Sequence, residues 1–319
     1  MNIGVSIIIC CYNSASRLSK TLKHLALQKI TSDIQWEVII VNNNSTDNTS
    51  EVAKEEWTKY NCMVPFIIVD EPKQGLSNAR KTGVDIAKFD FLIFCDDDNW
   101  LHNDYVQLSY NLLYKNNKIG IVGGYGEAVI DIDPPSWFKM QEGWYACGPQ
   151  SDMDGDISKR GYVWGAGMVA RKSIFVQAQK LNFCSFLSDR TGESLSSGGD
   201  SEISQWALIL GYKLWYSQSL KFRHYITSKR ITDNYLQNLK LENKKCDYWF
   251  NKYNILLIVK ELEYTRGKNF VKAIKLLVKS KLKNDQQRTM AQFMLGPIFR
   301  VSTKDDFLFI KIFNKAIYI

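Results

Sequence analysis

Three carboxylates in a row, Asp96-Asp97-Asp98, end a run of apolar residues, Phe91-Leu92-Ile93-Phe94-Cys95. Adjacent anions repel, so a fold gains nothing from them unless positive charge meets them. A hard divalent cation is one such partner. Magnesium and manganese take carboxylate oxygen and commonly share their shell with substrate phosphates. A solvated acidic loop capping the next helix is the other reading of the triplet seen alone. The first reading places phosphate chemistry beyond the carboxyl end of a buried strand, where open α/β sheets hold their ligands.

The elements around the triplet must carry it to that place. Residues 5–11 (VSIIICC) and 36–41 (WEVIIV) are β-branched apolar runs, each closed by turn formers, and read as buried parallel strands. Leu18, Leu22, Leu25 and Ala26 share one face of a helix between them. A helix at 49–60, a strand at 66–69, and a helix from Gly75 to about residue 87 complete the alternation into the strand at 89–95. Strand and helix in turn predict a doubly wound, mostly parallel sheet with right-handed crossovers. Further on, the pattern predicts a helix at 103–114, a strand at 119–125 and an irregular region at 131–158. A glycine-containing strand at 162–170 and helices at 171–181 and 201–210 follow. Short strands at 213–217 and 221–225 come last. Beyond residue 233 the pattern is mainly helical. Within 270–282, Phe270, Val271, Ile274, Leu277, Val278 and Leu282 share one face, and Lys272, Lys275 and Lys279 lie on another.

Composition bounds the class. The chain has 319 residues, 45% hydrophobic and 23% charged, ordinary for a globular protein able to bury a full core. No stretch of about 18 apolar residues occurs, and residues 1–6 lack a basic n-region, so neither a membrane-crossing helix nor a signal peptide is expected. Seven cysteines, an odd number without a CxxC, fit reduced thiols in a cytoplasmic protein. The net charge of +8 is uneven. From Tyr225 onward there are 19 Lys and Arg against 8 Asp and Glu, while the first 224 residues are slightly acidic. A basic tail on such a body suits an anionic surface, membrane lipid or nucleic acid; the acidic body argues against nucleic acid.

Six segments in order, VSIIICCYN, WEVIIVNNNSTDNT, QGLSNARKTG, FLIFCDDDNWL, GGDSEIS and FRHYI, resemble glycosyltransferase family 2. The resemblance covers roughly residues 4–226. It implies a GT-A fold with a Rossmann-like nucleotide-binding half, and an inverting, metal-dependent transfer from a nucleotide-sugar, with UDP preferred. It assigns 1–232 to the catalytic domain, with a nucleotide-sugar half at about 1–125 and an acceptor half at about 126–232. Residues 233–319 are left as a basic helical extension.

Residue by residue, the resemblance implies that Cys10, Tyr12, Asn42, Asn43, Gly75, Arg80, Asp96 and Asp97 bind the nucleotide-sugar. Asn42 and Asn43 stand where the family usually has an Asp reading the base; an amide can still accept from and donate to uracil. Asp98 and His224, with Asp96, would hold manganese or magnesium. Asp200 would be the general base, against the plainer role of a helix N-cap. Trp164, Gly165, Gly199 and Glu202 would line the acceptor pocket. Asp47 reads as a helix cap. The acceptor would be a glycan or lipid-linked hydroxyl in bacterial surface polysaccharide synthesis. The amphipathic tail would dock on the inner face of an anionic membrane, or pack on the domain or a second chain. Two rivals stand beside this reading. A nucleotidyltransferase would carry a glycine-rich loop after the first strand, and residues 11–17 contain no glycine. A non-catalytic binding module would not need Asp96, Asp98, Asp200 and His224 together.

Overall fold

The structure, a computed structural model, describes residues 2–31, 33–187, 189–190, 195, 198–261, 283–295 and 304–313. The first half alternates β1 (Val5–Cys11), α1 (Leu18–Ala26), β2 (Trp36–Asn42), α2 (Thr49–Thr58), β3 (Phe66–Asp70), α3 (Leu76–Ile86) and β4 (Phe91–Asp96). These strands pair in parallel in the order β3-β2-β1-β4. The second half holds β5 (Asn99–Leu101), α4 (Tyr105–Lys115), β6 (Ile119–Ile130), α5 (Phe138–Gln141), β7 (Gly155–Asp156), β8 (Val169–Arg171), α6 (Lys172–Lys180), α7 (Gly199–Ile209) and β9 (Lys213–Ile226). The sheet continues β4-β8-β6-β9-β5, with β7 also on β9. Here β6 and β9 run parallel, and β5, β7 and β8 pair antiparallel.

Alternation along the strands builds a core on each face of the sheet. Ile7, Ile9, Val38, Ile40 and Ile93 pack with Leu18, Leu22 and Leu25 of α1 and Trp57 of α2. Ile8, Ile39, Val41, Leu92 and Phe94 face the other way, onto Ala79 and Val84 of α3 and Ile203 and Ala207 of α7. Both faces of the central strands are therefore dry, which is why those strands read as continuous apolar runs.

Two local expectations change. The strand expected at 162–170 is confined to β8, because the preceding N–H groups bond side chains instead of a strand: Val163 to Ser204 Oγ, Trp164 to Gln150 Oε1, and Gly165 to Asp200 Oδ2. The two short strands expected near 213–225 are one strand, β9, with a register shift against Gly123–Tyr125. There Asp154 accepts from Ser217 Oγ and Gln218 N.

The C-terminal part contains α8 (Asp233–Lys244), α9 (Asp247–Glu261), α10 (Asn284–Leu295) and α11 (Lys304–Phe313). Thr232 caps α8 by accepting from Tyr235 N. The basic amphipathic segment at 270–282 lies outside the described residues. Among the described residues no helix is long and apolar enough to cross a membrane. Helix α9 packs on α7, where Tyr253 Oη donates to Glu202 and accepts from Trp206 Nε1. Helix α11 joins them through Phe309 and Phe313 and through a buried Lys252–Asp306 pair at 2.9 Å.

That ion pair generates a stability prediction. Lys252→Met removes an ammonium from beside a fully buried carboxylate, and breaking such a pair costs on the order of 3–5 kcal/mol. Lys81 and Asp85 form a solvent-exposed pair, of a kind that contributes little. Urea denaturation should therefore separate Lys252→Met clearly from Lys81→Met; coincident midpoints for the two variants contradict the account.

Candidate active site

The carboxyl ends of β1 and β4 open into a cleft of about 950 Å³. Its near wall carries the acidic triplet, and the three carboxylates point to different partners. Asp97 pairs with Arg17 at 2.7 Å and accepts from Ser14 Oγ. Thr21 holds its backbone carbonyl. Burial and the Asp98 charge push Asp97 up to about 6 despite Arg17. Asp98 faces His224 Nε2 at 3.5 Å and Arg230 Nη1 at 3.2 Å. Burial opposes its charge, but His224 and Arg230 outweigh burial and hold it well below the usual carboxylate range. Asp96 faces the cleft, raised by burial and by Asp98.

Sheet register puts the histidine there. Asn99 of β5 lies opposite His224 of β9, and Tyr225 N donates to the Asp98 carbonyl. His224 is buried, and its Nδ1 sits 2.7 Å from the Tyr145 carbonyl. A carbonyl can only accept, so Nδ1 carries a proton and Nε2 is the nitrogen turned to Asp98. Burial disfavours the imidazolium, yet Asp98 outweighs it and raises His224 to about 10. Without a cation, Nε2 is therefore protonated at neutral pH; a divalent cation would have to displace that proton to use Asp98 and His224 as ligands. Among the described residues no three His, Cys, Asp or Glu side chains converge on one point. Of the expected trio, Asp98 and His224 stand together and Asp96 lines the same cleft.

A second group of charges is organised by Arg80 of α3, whose charge acts on both Asp200 and Asp96. Its Nη1 pairs with Asp189 at 3.3 Å, and Asp189 also accepts from Ser77 Oγ and from Arg190 N. Asp200, at the start of α7, accepts from Gly165 N at 2.8 Å through Oδ2 and from Ser201 N at 2.7 Å through Oδ1. Each carboxylate oxygen keeps a second lone pair, and Asp200 lines the cleft. Burial pushes Asp200 up to about 6; Arg80 opposes that rise and Asp189 adds to it. Two glycines let the guanidinium in. A Cβ on Gly165 would lie 2.8 Å from Arg80 Nη2, and one on Gly199 would collide with Asp189.

Several expected site residues stand elsewhere or do something else. Asn42 is off the cleft: its amide donates to Asp70 and accepts from Ser45 N. Asn43 lines the cleft, but Nδ2 donates to the Glu71 and Lys73 carbonyls and Oδ1 accepts from Gly75 N. It is a clamp on the loop before α3, with no donor left for a base. Glu202 faces away from the cleft, accepting from Ser185 Oγ, Phe186 N, Leu187 N and Tyr253 Oη. Gly199 lies under the Asp189–Arg80 pair, not on the cleft surface. Asp47 accepts from Ala15 N and Thr49 N. Cys10, Tyr12, Gly75, Arg80, Asp96, Asp97, Asp98, Trp164, Gly165, Asp200 and His224 all line the cleft. Burial raises the Cys10 thiol to about 12, so it is a neutral wall group. Sequence reasoning missed Arg17, Asp189 and Arg230. Arg230 follows His224 by six residues, which is a usable signal; Asp189 has none. It also missed that α8 and α9 reach the cleft, through Tyr235, Leu239 and Phe250.

A family model described as "Glycosyl transferase family 2" matches residues 6–177, more than half of the chain. Glycosyltransferase AglE of Haloferax volcanii is 25% identical over 216 residues, which are 68% of this chain and 65% of that one. The matches to the next curated relatives span only 16% and 28% of their lengths. The fold is shared with S. aureus TarS 1–349 in complex with UDP-GlcNAc, at TM-score 0.54 and 13% identity, covering 91% of this chain and 79% of that one. It is also shared with mannosyltransferase PcManGT from Pyrobaculum calidifontis in complex with GDP-Man and Mn2+. That likeness has TM-score 0.52 and 14% identity, and covers 92% and 70% of the two chains.

The electrostatics of Asp200 can be read directly. Carboxyl-carbon NMR should find its midpoint near 6, against about 3.9 for an ordinary aspartate. Arg80→Met removes a charge that favours the carboxylate, so the midpoint should move higher. An ordinary midpoint in the wild type, or no upward move in the variant, contradicts this description.

Proposed function

The chain belongs to glycosyl transferase family 2, and from that premise we propose that it transfers a sugar from a UDP-sugar to a hydroxyl of a glycan or lipid-linked acceptor, inverting the anomeric centre. The observation that carries this reading is the meeting, in one cleft, of the Asp98–His224 pair and a half-buried, cleft-lining Asp200. The acceptor hydroxyl attacks the anomeric carbon while the bond to the diphosphate breaks. Asp200 takes the hydroxyl proton on a free lone pair. A carboxylate near pH 6 is still ionised at neutral pH, yet more basic than an ordinary aspartate, which suits proton transfer. The two backbone N–H groups fix its orientation.

Asp98 and His224 are the residues that would hold a divalent cation, which when bound neutralises charge on the diphosphate. Arg230 borders the same place and presents guanidinium N–H groups suited to phosphate oxygens. With Asn42 and Asn43 tied to backbone and neighbours, Tyr12 is the side chain at the rim available to stack on a base. The UDP choice draws on TarS, whose structure carries UDP-GlcNAc; PcManGT, with GDP-Man, marks the competing base. We keep 1–232 as the catalytic unit and 233–319 as an extension that also walls the cleft. Bacterial surface polysaccharide assembly at an anionic membrane face completes the reading, supported by the basic C-terminal third.

Calorimetric titration of UDP and GDP, with and without manganese, tests the donor site. UDP should bind more tightly with the metal, and Asp98→Ala should lose that gain. Metal-indifferent binding overturns the role of Asp98, and a preference for GDP overturns the base. With UDP-sugar and acceptor, kcat/KM should fall as pH drops through about 6, because a protonated Asp200 cannot accept a proton. A flat profile from pH 5 to 8 removes Asp200 as the base.

A further inference from the structure

The cleft carries an arginine whose environment differs from those of Arg17, Arg80 and Arg230. Arg17, Arg80 and Arg230 each have a carboxylate within ion-pair distance. Arg160 also lines the cleft, and among the described residues no carboxylate pairs with it. Its guanidinium carbon lies 4.3 Å from the Tyr162 ring centroid and 4.9 Å from that of Trp164. The group is fixed as well as stacked. Nη1 donates to the Gln150 carbonyl at 2.6 Å. Gln150 is itself buried: its Oε1 accepts from Trp164 N and its Nε2 donates to the Gly124 carbonyl. One buried amide residue thus sets both the arginine and the tryptophan. Trp164 precedes Gly165, whose N–H holds Asp200.

Trp144, which also lines the cleft, has a cation over its ring as well, with Lys240 of α8 at 5.8 Å. Asp247, at the start of α9, lines the cleft too, but it is exposed and forms no ion pair with Arg160. Rings present flat apolar faces, which stack on sugar rings. A guanidinium pinned over such faces, without a counter-ion, keeps N–H groups for an oxyanion.

The geometry points to Arg160, Tyr162 and Trp164 as an acceptor subsite for an anionic glycoside, one bearing a phosphate or a carboxylate beside the sugar ring that stacks there. This rests on the reading of Asp200 as the base, since it is the short path from Trp164 to Asp200 that makes this part of the cleft the acceptor side.

Matched probes test it: methyl glucoside, methyl glucuronide and methyl glucoside 6-phosphate, titrated by ligand-observed NMR into protein saturated with UDP. At least one charged probe should bind about tenfold more tightly than the neutral one. Which of the two does so distinguishes a phosphate-bearing acceptor from a uronate. Arg160→Met should erase the gap, with the melting temperature checking that the variant is folded. Arg160→Lys keeps the charge and should keep most of the gap; if the arginine served only to brace the rings, both variants would weaken charged and neutral probes alike. Equal binding of all three probes by the wild type, no binding of the charged ones, or a gap that survives in Arg160→Met overturns the subsite. Failure of the wild type to bind UDP instead removes the donor reading, and the same titrations without nucleotide still decide the anion preference.

Discussion

Three carboxylates on consecutive residues cannot share one orientation in a buried site. The cost of their mutual repulsion is relieved here by distributing them. Asp97 turns to Arg17 at the start of α1, Asp98 turns to β9 and the segment before α8, and Asp96 is left to the cleft. This partition ties the parallel half of the sheet to the mixed half. Strand β5 is only three residues long, and its pairing with β9 sets His224 opposite Asn99, beside Asp98.

Arg80 plays the matching part for a second group of charges. A guanidinium buried to this degree needs an anion, and Asp189 supplies it from a segment more than a hundred residues away. The same segment returns a backbone bond, with Leu76 N donating to the Arg190 carbonyl. The start of α3 and the start of α7 are thereby held against each other through Asp189, and Asp200 is held with them. Gly165 and Gly199 are small because the guanidinium and its carboxylate partner occupy the volume a side chain would need.

Much of this was legible in the sequence where the cause is local. Buried parallel strands are apolar on both faces, so β1, β2 and β4 announce themselves, and the loops after them hold Tyr12, Asn43 and the triplet. What was not legible depends on partners chosen at long range. Asn42 and Asn43 look like base readers by position, but whether an amide faces a ligand or a loop is decided by Asp70 and the carbonyls of Glu71 and Lys73. Glu202 shares a helix turn with Asp200, and only the 3.6-residue period carries it to the far side, against Tyr253. The strand expected at 162–170 has the composition of one; its N–H groups are captured by Ser204, Gln150 and Asp200, none of them nearby in sequence.

The parts of the cleft are not independent. Tyr145 accepts from His224 Nδ1 at its carbonyl, and its hydroxyl donates to the carbonyl of Arg230. Arg230 reaches Asp98 with its side chain and stands three residues before α8. Helix α8 brings Tyr235 and Leu239 to the cleft wall. The same short segment therefore carries the arginine that pairs with Asp98 and leads into α8. A free-standing C-terminal domain would have no such link. Here Glu202 and Tyr253 anchor α9 to the helix that carries Asp200, and Arg230 ties the approach to α8 to the carboxylate that faces His224. The helices beyond the sheet are parts of the site for that physical reason.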